Sequence, residues 1–260
     1  MYYRIPFLIL YFFLISSFSF SKDLYVYRNL IHMWDFEDKA HYEVDVKNGA
    51  DALIQGKIKW VPPDFSFNQT GVIHIHGDKM PESFFTIPAR YTDRDLDNWT
   101  LDFEFAIGTH PVDHKDHNPE QGRIMDGVVV EWGDLKITYF EMDDRWRGKI
   151  VVEYRQRIVN IPGVSAFDYH HMVLRSEPIG ISVWLNTSCI KLIHTPRTPM
   201  RLEEIKFASN GFAGRLDNIK IYDERLKPWE ITQNYWGTEL NVDLKSKFIT
   251  TWAEVKKEKK

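Results

Sequence analysis

Short runs of alternating apolar and polar residues dominate the chain. The clearest is Trp99–Ile107, WTLDFEFAI, in which Leu101, Phe103, Phe105 and Ile107 alternate with Thr, Asp, Glu and Ala. A period of two marks a strand with one buried face. Similar runs occupy Leu30–Phe36, Ala52–Trp60, Val72–His76, Phe84–Ile87, Met125–Trp132, Leu135–Phe140 and Lys149–Arg155. They continue at Tyr169–Arg175, Ile179–Leu185, Leu202–Phe207 and Leu216–Tyr222, punctuated by Gly, Pro, Asn and Asp. About a dozen strands without long helical patterns between them predict an all-β fold, an antiparallel β-sandwich in one domain.

Two segments break the rhythm. Pro228–Trp236 opens on a first-turn proline followed by helix formers, and predicts a short helix. Leu244, Phe248, Trp252 and Val255 recur at helical spacing inside a Lys-rich end, so residues 237–260 read as an amphipathic helix and basic tail. The default role of that helix is packing on the sandwich. The alternative is docking to a partner or an anionic surface.

The N-terminus has a different character. Arg4, the apolar run Ile5–Ile15 and Ser16–Ser21, small and polar except for Phe18 and Phe20, have the form of a secretory signal peptide over residues 1–21, cut before Lys22. No later stretch has the ~20 apolar residues of a membrane span. An exported protein is expected, extracellular, periplasmic or at the cell surface. Lys and Arg number 33 against 37 Asp and Glu, a net charge of −4, which argues against a nucleic-acid partner. Cys189 is the single cysteine, so no intramolecular disulfide forms, and it is expected to be a small buried hydrophobe. Asn68, Asn98 and Asn186 each begin an Asn-x-Ser/Thr triplet, which matters only where secreted proteins are glycosylated.

Five phrases, in order, carry a family resemblance: LIHMWDFED, NGADALIQGKIKWVP, SFFTIPARYTDRDLDNWTLDFEFAI, DYHHMVLRSEPIGISVWLNTS and GFAGRLDNIKIYDERLKPWEI. Together they span about residues 30–231 and resemble the laminin-G-like, concanavalin A-like jelly-roll domains. Trp34, Phe36 and Glu37 fill the opening pattern, Tyr169 stands where the family has Trp, and residues 108–168 match poorly. The resemblance implies a jelly roll over residues 22–236 and a carbohydrate-binding or adhesion role. It also implies a structural Ca²⁺ where the chain ends meet, with Glu37, or Asp35 or Asp38 beside it, converging on Asp217 and Asn218. A local turn pair is the competing account of Asp217-Asn218.

Other candidates come from the residues themselves. His110, Asp113, His114, Asp116 and His117 crowd one polar loop, a second candidate metal site for Zn²⁺ or Cu²⁺, although their spacing matches no established zinc pattern and a solvated loop is the simpler account. His74 and His76 share one face of a strand, expected to be solvated or hydrogen-bonded. Trp132, Tyr139 and Trp146 are candidate glycan platforms, with core packing the default for each ring. For glycoside hydrolysis the nearest string is Glu43–Asn48, EVDVKN, which lacks the final Glu; Asp102 and Glu104 alternate with Phe and read as outward polar residues. No nucleophile motif, phosphate loop or HExxH occurs. The expected function is a non-catalytic module binding a glycan or an extracytoplasmic protein. The alternatives are a structural subunit of an envelope, sheath or surface appendage, and a glycoside hydrolase.

Overall fold

The structure is a computed structural model, and it describes residues 28–49, 51–62, 71–75, 83–88, 95–108, 126–143, 147–166, 168–196, 199–201 and 203–235. Residues 1–21, expected to be a signal peptide, the tail at 237–260, the His/Asp loop at 110–117, His76, Asn68 and Trp146 lie outside the described residues.

Two antiparallel sheets form the body. The first has eight strands: β1 (Leu30–Trp34), β3 (Ile58–Val61), β4 (Val72–Ile75), β7 (Thr100–Ile107), β12 (Tyr169–Glu177), β13 (Gly180–Leu185), β14 (Ser188–His194) and β17 (Gly214–Tyr222). Its order is β14-β13-β12-β7-β17-β4-β3, with β1 also paired to β17. The second has seven: β2 (Leu53–Gln55), β5 (Phe84–Ile87), β8 (Gly127–Trp132), β9 (Leu135–Asp143), β10 (Arg147–Tyr154), β11 (Arg157–Ser165) and β16 (Ile205–Ser209), ordered β11-β10-β9-β8-β16-β5-β2. A ribbon of β6 (Asp95–Leu96) and β15 (Met200–Arg201) stands apart. The antiparallel sandwich expected from the alternation is therefore the fold.

The core lies between the sheets. Phe103 and Phe105 of β7 point into it with Trp34, Phe36, Phe85 and Phe207, and these rings meet mostly edge-on. Trp99 and Trp132 pack edge to face with centroids 5.0 Å apart. Two hairpins close with paired left-handed residues, Arg155-Gln156 and Asn186-Thr187, whose positive φ matches the twist of the flanking strands.

Residues 228–235 form one helix, α1. It starts at Pro228 as the sequence predicts, and Glu230 Oε2 accepts a bond from the Lys227 N–H, tying off the first turn. Leu226 and Ile231 bury against Leu30, Met33, Val173, Trp184 and Tyr222, a second apolar cluster on the outer face of the eight-stranded sheet. No helix among the described residues is long and apolar enough to cross a membrane.

Candidate functional site

The two outer faces of the sandwich differ in kind. On the eight-stranded sheet the outward residues of β7, β12 and β17 are charged, yet they are buried. Asp102 and Glu104 of β7 are 0% and 5% exposed, Lys220 0%, Asp217 1%, Arg215 3% and His171 3%. Asp102 and Glu104 face outward as the alternation predicts, yet they and His74 are covered, because alternation reports which face a residue is on and not what lies over it. α1 supplies part of the cover. Asn234 donates to Asp102 Oδ2 at 2.7 Å and to the Tyr222 hydroxyl at 2.9 Å, while Tyr235 packs its ring against His171.

Asp102 is the hub of this layer. His171 Nε2 lies 3.0 Å and Lys220 Nζ 3.6 Å from its Oδ1. Burial pushes the carboxyl upward, but Lys220, His171 and the Asn234 amide outweigh it and hold the pKa at about 2. The group is an ionised anchor enclosed by its partners.

Asp217-Asn218 has a specific geometric role. On one side β17 pairs with β7, and the register slips between Asp217, opposite Glu104, and Lys220, opposite Asp102. That slip is a β-bulge, and Asn218 absorbs it at φ 49°. On the other side β1 takes the edge at residues 219–222 and β4 at 214–216, so the bulge sits where the two neighbours hand over. The Asn218 N–H binds Asp217 Oδ1 at 2.8 Å. The chain ends do converge here, where β1 pairs with β17. Glu37 is exposed, with its N–H bound to Asp35 Oδ1. Among the described residues no three His, Cys, Asp or Glu side chains gather to hold a metal ion. Ca²⁺ needs six to eight oxygens, and the Lys220 ammonium already supplies positive charge to this face.

The string Glu43–Asn48 is structural. Asp45 accepts the Met33 and Lys47 N–H groups through Oδ1 and holds His32 Nδ1 at 2.6 Å through Oδ2. Asn48 donates to the Ile31 carbonyl, and the Glu43 carbonyl accepts the Trp34 indole N–H. The segment clamps β1 rather than presenting paired carboxylates to a substrate.

The outer face of the seven-stranded sheet is more open by contrast over β9–β11, although Thr86 of β5 on the same face is buried. Pairing places one row straight across all its strands: Leu53, Thr86, Lys206, Glu131, Lys136, Glu153 and Ile158. The charges alternate, and Lys136 Nζ meets Glu131 at 3.3 Å. Beside this row runs a neutral strip, Thr138 opposite Val151 opposite Asn160, and then Phe140 opposite Lys149 opposite Pro162. Thr138, Phe140, Lys149 and Val151 are half-buried, and Asn160 and Pro162 are exposed. The Lys149 ammonium stands 5.3 Å from the Phe140 ring centre. Pro162 is tolerated because β11 is an edge strand.

Trp132 and Tyr139 are fully buried, so neither offers a ring to a ligand. Trp132 donates its indole N–H to the Arg201 carbonyl, and Tyr139 fills space left by Gly148, where a Cβ would collide with its ring. Sequence reasoning missed Phe140, one residue along from Tyr139 and therefore on the opposite face; the signal was the buried parity of Leu135, Ile137 and Tyr139. Cys189 is exposed, not buried, because β14 is the sheet's edge strand.

No family model matches the chain, and no curated protein matches it. Solved structures do. The binding domain of Paraclostridial mosquitocidal protein 1 superposes with TM-score 0.56 at 13% identity, over 80% of this chain and 52% of that one. Domain 4 of AbnA, an extracellular arabinanase from Geobacillus stearothermophilus solved in complex with arabinotriose, gives 0.54 at 12%, over 80% of this chain and 98% of the domain. Trypanosoma rangeli sialidase gives 0.57 at 13%, over 83% of this chain and 34% of the enzyme. The chain thus spans about half of the toxin domain and a third of the sialidase, and what it shares with all three is the antiparallel jelly-roll sandwich.

Proposed function

We propose that the chain is an exported, non-catalytic glycan-binding module whose contact surface is the outer face of β8–β11. The observation that carries this reading is the neutral strip of Thr138, Phe140, Val151 and Asn160, half-buried to exposed on a face away from α1. Sugar rings present apolar C–H faces that stack on an aromatic ring, while their hydroxyls need donors and acceptors at the rim. Phe140 supplies the ring, Asn160 and Thr138 the neutral polar groups, and Lys149 and Glu153 the charged ones. The sandwich domain solved with arabinotriose supports the reading by fold. The signal-peptide form of residues 1–21 supports export.

A glycan array followed by titration calorimetry on the hits tests this. Phe140→Ala is expected to weaken binding at least tenfold, with Cys189→Ser unchanged. Binding by Phe140→Ala equal to the parent would place the ligand elsewhere.

A further inference from the structure

The same face says which glycans fit. Resting on the glycan-binding reading above, we infer that the ligand is a polyanionic chain, a glycan carrying carboxylates at intervals. Two lysines on this face have ring partners instead of acidic ones. Lys149 lies over Phe140 at 5.3 Å and Lys206 over Phe84 at 4.5 Å. Neither ammonium has a carboxylate partner among the described residues, whereas Lys136 is already engaged by Glu131 at 3.3 Å.

A ring under a lysine holds its charge in place without neutralising it. The other side of the ammonium keeps donors for an anion approaching from solvent. The chain as a whole carries net charge −4, so attraction for a polyanion has to be local, and these lysines are where it arises. They sit on β10 and β16, three strand spacings or roughly 14 Å apart across the sheet and roughly 13 Å apart along it, since Lys206 is level with Glu153. One carboxylate cannot reach both, so a chain with repeated carboxylates is required. The neutral strip of Thr138 and Val151 lies on β9 and β10, close by Lys149.

The test is calorimetry with the full chain, a linear uronic-acid hexasaccharide, and the same hexasaccharide with its carboxyls reduced to alcohols. The acidic chain is expected to bind at least tenfold more tightly in low salt and to lose that advantage as salt rises. Replacing both lysines (Lys149→Gln with Lys206→Gln) should bring the acidic chain down to the level of the reduced one, while Lys149→Arg retains the preference. Equal binding of the two hexasaccharides would overturn the polyanion inference and leave glycan binding standing. Silence from both, together with a silent neutral array, would overturn both readings. Thermal melts of each variant separate lost binding from lost folding.

Discussion

Asn218 holds a left-handed backbone inside a strand, at φ 49°. Asn tolerates this conformation better than most residues, and Gly adopts it freely. Asn218→Ala should therefore cost ~1 kcal/mol more than Asn218→Gly, since both lose the carboxamide and only one is strained; urea melts of the pair measure the difference. Asp102 is the other residue on which much depends. Asp102→Asn removes a buried counter-charge shared by Lys220 and His171 and is expected to destabilise by ~3–5 kcal/mol. The wild-type carboxyl titrates at about 2, below its ordinary value of 3.8. Its stabilisation is complete above pH 4 and lost as pH falls through 2, a change of roughly 2 kcal/mol. Acid melts of the wild type should show that loss, and Asp102→Asn should not.

At the scale of elements, period-two patterning located most long strands, because a strand with one face in a core must alternate, but it missed the edge strands β11 and β14, whose residues are mostly exposed. It gave the parity of β7 correctly: Leu101, Phe103, Phe105 and Ile107 face the core. It did not reveal what covers the other face, since the Asn234 contact to Asp102 joins residues 132 apart in sequence. Tyr139 is buried and Phe140 half-buried, and the sequence did not show which of the two rings turns inward, because an apolar residue next to a Tyr leaves the inward side ambiguous until neighbouring strands fix it. Gly148 is one of those determinants. It sits on β10 and makes room for the Tyr139 ring. Gly148→Ala should cost ~1–3 kcal/mol by overpacking and weaken glycan binding by tilting β9, and paired melting and titration data test both.

Over the whole molecule, two unlike faces share one core. The eight-stranded sheet buries a charged layer partly under α1, and the seven-stranded sheet leaves the outer residues of β9–β11 half-buried to exposed. Chelation with EDTA tests the Ca²⁺ expectation where β1 meets β17: a drop of several degrees in melting temperature would show an ion there, and a change within about a degree would speak against one. That meeting has a kinetic consequence. β17 is near the end of the chain, yet it pairs with β1, β4 and β7, all of which precede it by about a hundred residues or more. The eight-stranded sheet is thus missing an inner strand until the last part of the chain is available. Contact order is high, folding is expected in milliseconds to seconds, and a chain cut short before Gly214 should remain uncompacted and protease-sensitive.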